Sequence, residues 1–384
     1  MFGVTERQSV AGIPSRADEV EAKLALVRML LERRALPAIA LTGVDAVAWL
    51  GDGLTDTIEP GNPASPVWLI VTPDAVAAVT NNVELPRLDA ESGLLELGIE
   101  VHAAPWYDAG AQIRLAEQVA GAPRERIGGL GVDVTDDLTE LRLALSAVEQ
   151  ERLSALGADA ASALEDALRA WIPGELDFDV QARVAERLER CGAFGACLIV
   201  GGDERVERFR HPIAVGRPIS RLVMAVVVAE RYGLHVAATR FACAGGLADG
   251  VRRARASALS IEEATLRACV PGAAYGDVLR ALERAYADTG NAGAWAEHYQ
   301  GGPVGYRQRE FEIAPSQTGS RWFATRIEQG HAVAFNPSVA GGGKAEDTYL
   351  VRENGLRRLT ETGTWPLEHG RPGVLDVVNG TAAP

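Results

Sequence analysis

Long apolar runs are missing from this chain. The longest, such as Leu222 to Ala229, fall far short of the roughly 20 residues a membrane-spanning helix needs. Basic runs and interleaved aromatic stripes are missing too, and the net charge is −14. Nucleic acid and anionic membrane are therefore excluded as default partners. The first residues, Met1-Phe2-Gly3-Val4-Thr5-Glu6-Arg7, lack the basic segment and apolar core of a signal peptide, so a cytoplasmic protein is expected. Cysteine is scarce. Cys191, Cys197, Cys243 and Cys269 form no CxxC pair, and each sits among apolar residues. That pattern reads as reduced, buried thiols acting as small hydrophobes rather than as a zinc site.

What is present is ordinary for a globular protein. The 384 residues, 47% hydrophobic and 23% charged, allow two domains and ample core. The first ~140 residues alternate helix and strand signals and read as an α/β domain. Asp18 to Arg34 has helical periodicity, with Val20, Leu24, Val27 and Leu31 on one stripe. Ala38 to Thr42 and Val67 to Thr72 are short apolar runs bounded by turn residues, hence strands. Gly51 to Pro66 reads as a loop, Leu115 to Val119 as a helix and Ile127 to Val132 as another strand.

The character changes near Leu141. Ser146-Ala147-Val148-Glu149 has the spacing of a capping box and opens a long helix that Ile172-Pro173-Gly174 ends. Asp179 to Arg190 reads as a second helix. Leu222 to Ala229 and Leu234 to Cys243 read as adjacent strands joined at Tyr232-Gly233. Helices are expected over Ile261 to Ala268 and Tyr275 to Asp288, then a strand-rich, Gly-rich region from Gly301 to Val351. The tail after Thr364 has little periodicity and is expected to be peripheral.

Gly343-Lys344-Ala345-Glu346-Asp347-Thr348 with Leu350-Val351 resembles the closing Gly-x-Arg-x-Glu-Asp-Thr-x-x-Val strand of the creatinase and aminopeptidase P family. Leu141-Arg142 with Glu149, then Ile172-Pro173-Gly174 and later Val270-Pro271-Gly272, are similar to its helix joints in order and spacing. The resemblance covers nearly the whole chain. It implies an α/β (α+β) protein, with a creatinase-like N-terminal domain over residues 1–140 and a C-terminal pita-bread domain over residues 141–384.

Metal-dependent members of that family hold two divalent cations with two Asp, one His and two Glu. Carried over singly, those positions fall on Val226, Ala237, Gly302, Asn336 and Glu346. Only Glu346 keeps its carboxylate, and one carboxylate cannot hold two cations. The expectation is no metal and no cofactor.

The resemblance also places His211, His298, Arg240 and the Arg309-Glu310 pair near family active-site positions. Creatinase, a metal-free member, uses a His that resembles His211 and a Glu that resembles Glu346. Its other Glu would fall near Thr239, which has no charge, and this argues against creatine as substrate. A His carries protons near neutral pH, and a carboxylate beside it holds the useful tautomer or clamps a cationic substrate. His211 and Glu346 are thus the catalytic candidates, with Arg240, His298, Arg309, Glu310 and Asn336 as substrate-binding candidates. Each has a plainer alternative. His211 could be a loop residue before Pro212, and His298 a hydrogen-bonded core group. Glu346 could be a structural partner of Arg240 or Lys344. Arg309-Glu310 could be a solvated strand edge, and Asn336 a turn residue before Pro337.

Together these residues imply a metal-independent enzyme acting on a small, amino-acid-derived molecule, with a C–N bond as target and hydrolysis as the default reaction. The rival is an inactive relative that binds a peptide or protein through the old cleft. The family resemblance further implies a homodimer, with the N-terminal domain of one subunit near the other's cleft.

Overall fold

The computed structural model describes residues 14–54, 58–378 and 381–382. The Met1 to Arg7 segment lies outside the described residues, as does part of the Gly51 to Pro66 loop. The chain divides into two compact units, Met1–Arg142 and Leu143–Pro384. Both are mixed α/β.

The first unit runs α1 (Arg16–Arg34), β1 (Ile39–Gly43), α2 (Val44–Leu50), β2 (Ala64–Val71), β3 (Val76–Asn81), α3 (Leu85–Glu91), β4 (Glu100–Ala104), α4 (Ala111–Ala120) and α5 (Thr135–Arg142). Helix α1 starts where Ser15 and Asp18 cap each other's backbone amides. The sheet order is β1-β2-β3-β4, antiparallel except for the parallel β3–β4 pair. Ala40, Ile70 and Val79 pack beneath Ala116 and Ala120 of α4. The strand expected at Ile127 to Val132 does not form. Only isolated bridges remain at Gly128, and the Gly129 amide closes a tight turn onto Val132. Gly129 has φ 81°, and a Cβ there would lie 2.0 Å from the Ala40 carbonyl oxygen. Glycine turns the apolar run into a loop pressed on β1.

The second unit begins with α6 (Ala147–Arg169), whose Ser146–Glu149 capping box is present. It continues with α7 (Asp177–Arg190), β5 (Phe194–Gly202), α8 (Glu204–Arg208), β6 (Leu222–Arg231), β7 (Leu234–Cys243), α9 (Asp249–Ala268) and α10 (Tyr275–Asp288). Then come β8 (Gly301–Val304), α11 (Arg321–Ala324), β9 (Ala332–Phe335), β10 (Ser338–Val339), β11 (Gly343–Lys344), β12 (Asp347–Arg352) and β13 (Gly355–Arg358). The end of the chain adds β14 (Leu367–Glu368), β15 (Arg371–Pro372), β16 (Val374–Asp376) and β17 (Thr381–Ala382).

Strands β6 and β7 form a hairpin. Tyr232 (φ 59°) and Gly233 (φ 79°) both take the left-handed conformation that matches the strand twist. Helix α9 begins well before Ile261 because Val251, Ala254, Ala258 and Ile261 continue one buried stripe at helical spacing. The tail is not peripheral. Strand β16 pairs in parallel with β7, in a five-stranded sheet ordered β17-β16-β7-β6-β5. A three-residue strand carries too little alternation to be seen in sequence, and its place comes from backbone pairing. A second sheet is ordered β13-β12-β9-β8.

Candidate functional site

The site forms where β12 meets β7. Side chains on consecutive strand residues point to opposite faces, and Glu346-Asp347-Thr348 uses this fully. On one face Asp347 Oδ1 takes Arg240 Nη1 at 2.9 Å and the Thr360 hydroxyl at 2.7 Å, while Glu165 Oε1 lies 3.5 Å from Arg240 Nε. On the other face Glu346 Oε2 accepts the Thr239 hydroxyl at 3.0 Å, and Oε1 accepts Arg309 Nη2 at 3.1 Å. Thr348 stitches the strands together: its hydroxyl accepts the Ala237 amide at 2.8 Å and donates to the Ala237 carbonyl at 2.9 Å. Much of the Glu-Asp-Thr run is therefore structural.

Next to Glu346 lies Lys344, whose side chain is buried. Its Nζ is 4.0 Å from Glu346 Oε2 and 3.5 Å from His298 Nε2. His298 Nε2 in turn lies 3.1 Å from His211 Nε2. His298 Nδ1 faces the Tyr299 carbonyl in a short hydrogen bond. A carbonyl can only accept, so Nδ1 carries the proton and Nε2 of the neutral ring is the acceptor. His211 then donates from its own Nε2 and keeps a lone pair on Nδ1. Burial, followed by the charge of Lys344, pushes His298 down to about 3. Burial and Lys344 also hold His211 below its ordinary value, against an opposing pull from Glu346. Both shifts favour the neutral ring.

Beside this pair is a cavity of about 150 Å³ lined by Arg208, Arg210, Met224, Glu297, Ser338 and Lys344, among others. Arg210 Nη2 donates to Glu297 Oε2 at 2.6 Å, and Arg210 Nη1 reaches Ser338 Oγ at 3.4 Å. Burial raises the Glu312 carboxyl, whose Oε1 accepts the Gln300 and Gly301 amides at 2.5 and 2.6 Å.

No sequence-family model and no curated protein matches the chain. Solved structures do match. Dipeptidase PepE from Mycobacterium ulcerans is similar at a TM-score of 0.72 and 21% identity, over 90% of this chain and 96% of that one. The prolidase from Pyrococcus horikoshii OT3 is similar at 0.67 and 18%, over 89% and 98%. The N-terminal domain of FACT complex subunit SPT16 from Cicer arietinum follows at 0.64 and 14%, over 91% and 97%. The chain has the pita-bread fold.

The five positions that resemble the family's metal ligands offer few donor atoms. Val226 and Ala237 are buried and carry no donor atom. A Cβ at Gly302 would come within 2.5 Å of the Phe311 carbonyl oxygen, so no ligand side chain fits there. Continuing the β9–β12 register (Asp347 opposite Phe335) sets Asn336 opposite Glu346, with a neutral amide in place of a carboxylate. The Lys344 ammonium and the Arg309 guanidinium both flank Glu346, where they would repel a dication. Among the described residues no group of three or more His, Cys, Asp or Glu could hold a metal ion. These residues do not fit a dinuclear centre.

Of the residues singled out in sequence, the pita-bread fold brings His211, His298, Arg309 and Glu346 into one neighbourhood. No hydrogen bond or ion pair joins His211 to Glu346 directly; the connection runs through His298 and Lys344. Three candidates need correction. Arg240 is buried on the opposite strand face, among Asp347, Glu165 and the Thr360 carbonyl, and cannot bind a substrate beside Glu346. Glu310 turns into its own loop, where Oε1 accepts the Tyr306 amide at 2.8 Å. Glu346 takes Thr239 on one oxygen and Arg309 on the other, so it anchors Arg309, and the ring that meets His211 is His298 instead. Asn336 is buried, and among the described residues its Oδ1 has no partner.

Lys344 is the residue that sequence reasoning missed as part of the site. Its signal was available: a lysine two residues before Glu346, on the same strand face.

Proposed function

We propose that the chain is a metal-independent pita-bread enzyme acting on a small, amino-acid-derived molecule at a C–N bond, with His211 as general acid/base. The observation that carries this reading is the 3.1 Å contact between His211 Nε2 and His298 Nε2. A neutral, tautomerically fixed His298 orients His211 as the third member of a triad orients its base, leaving His211 Nδ1 as proton acceptor. In the default hydrolysis, His211 takes a proton from the attacking water as the new C–O bond forms. It returns that proton to the leaving nitrogen as the C–N bond breaks. Arg309, held by Glu346, and Arg210, held by Glu297, supply fixed cationic groups near the reacting centre. The same proposal includes a homodimer in the cytoplasm. Among the described residues no helix is long and apolar enough to cross a membrane.

The test is turnover in a screen of small amino-acid, amidino and peptide compounds. His211→Ala should lower kcat by about 10²–10⁴-fold, the usual contribution of a positioned acid/base, with an unchanged melting temperature. Equal activity in the variant would remove His211 from the mechanism.

A second reading is an inactive relative that binds a peptide or protein partner. It is favoured by the engagement of both Glu346 oxygens by the chain's own Thr239 and Arg309, and one structural neighbour is a domain of a complex subunit. Absence of turnover across the screen, with saturable peptide binding, would select it.

A further inference from the structure

The cavity beside the imidazole pair has a chemical preference of its own. Lys344 presents three N–H donors. Among the described residues its ammonium has one hydrogen-bonding contact, His298 Nε2 at 3.5 Å, and one distant carboxylate oxygen at 4.0 Å. That carboxylate is shared: Glu346 also takes Thr239 on one oxygen and Arg309 on the other. Glu312 takes two backbone amides on its Oε1. Two cations, Lys344 and Arg309, thus share one committed carboxylate in a buried place. A buried ammonium whose acceptors are this few and this distant is costly, and Lys344 lines open space.

The rest of the lining narrows the ligand. Arg210 is neutralised by Glu297 at 2.6 Å but sits on the same wall, and Ser338 Oγ lies beside it. Arg208 stacks over the Phe209 ring. Glu207 and Glu297 also face the cavity, so a dianion such as phosphate would meet two acids, whereas a single negative charge matches the one under-satisfied ammonium. At about 150 Å³ the space is well below the roughly 300–1,000 Å³ of pockets for drug-sized ligands.

We propose that this cavity binds a small monocarboxylate, with the Lys344 ammonium as its principal contact and Arg210 and Ser338 beside it. The assignment rests on the proposed function only in relating the carboxylate to His211, the chain neighbour of the lining residue Arg210; binding itself needs no turnover. It gives the buried lysine a closer acceptor and identifies the substrate, or one end of it, as a small carboxylic acid.

Calorimetric titration of the full chain with sodium acetate and sodium propionate, at ionic strength matched with chloride, tests it. Saturable one-to-one binding is expected. Lys344→Met, which keeps the buried stem, should weaken it about tenfold or more, the loss of a charge-assisted hydrogen bond. Arg210→Gln should weaken it about threefold, because Glu297 already neutralises that guanidinium. Arg280→Gln on α10, whose partner is Asp277, should bind as the parent does. If Lys344→Met fails to fold, Arg210→Gln decides the matter. Absence of saturable binding, equal affinity in the folded Lys344 or Arg210 variant, or tighter binding of inorganic phosphate would overturn the proposal. Carboxylate binding without any turnover would sink the enzymatic reading and leave this one standing. Turnover dependent on His211, with carboxylate binding indifferent to Lys344, would do the reverse.

Discussion

His211 can work as a base only while its ring is neutral, and its surroundings favour that form. Its value is held below 6.5 by burial and by the Lys344 charge. The acid limb of kcat should therefore lie below pH 6.5, with a plateau at neutral pH. Lys344→Met removes one lowering influence, so at saturating substrate the limb should move to higher pH; a limb that stays in place would detach Lys344 from His211. Two further imidazoles set an acid limit on stability. Burial depresses His298 to about 3 and His331 to about 4. Below 6.5 the unfolded histidines bind protons that the native ones refuse. Stability is therefore full above pH 6.5 and falls as pH drops toward about 4, by roughly 1.4 kcal/mol per pH unit for each imidazole. His331→Gln should flatten part of that fall in urea titrations run at pH 7, 6 and 5. An unchanged slope would show that His331 protonates freely in the native state.

At the level of elements, strand alternation decides which charged residues are chemical and which are structural. Arg240 and Asp347 lie on one face with Glu165, and burial raises both carboxyls. Arg240→Met would strand two buried acids. It should cost roughly 3–5 kcal/mol in denaturant unfolding, as breaking a buried pair does. A loss under 1 kcal/mol would mean that the network is solvated. The same alternation was available in sequence, since Thr239-Arg240 and Glu346-Asp347 are adjacent pairs. What sequence did not supply was the direction: which member of each pair faces the site depends on the β7–β12 crossing. The Ile127 to Val132 run shows the opposite failure. Its composition fits a strand, but Gly129 and the close Ala40 carbonyl force a turn.

For the molecule as a whole, the donor set predicts indifference to divalent metal. Purified protein should carry less than stoichiometric Mn, Co or Zn. Neither EDTA nor added Mn²⁺ should shift its melting temperature, because a native-state ligand would raise it by mass action. Stoichiometric metal or a large EDTA shift would contradict the reading of Val226, Ala237, Gly302 and Asn336. Val226, Ala237 and Gly302 needed only the sequence, because a side chain without a donor atom cannot ligate in any fold; Asn336 offers only a neutral amide oxygen in place of a carboxylate. Helix capping at Ser146, the β6–β7 hairpin and the pita-bread architecture were legible for a similar reason: each depends on local spacing or on motif order along the chain. The imidazole pair, the committed Glu346 and the under-satisfied Lys344 came from tertiary structure alone. His211, His298 and Lys344 lie far apart in sequence, and whether an ammonium finds an acceptor depends on which atoms surround it, which only the packed chain determines.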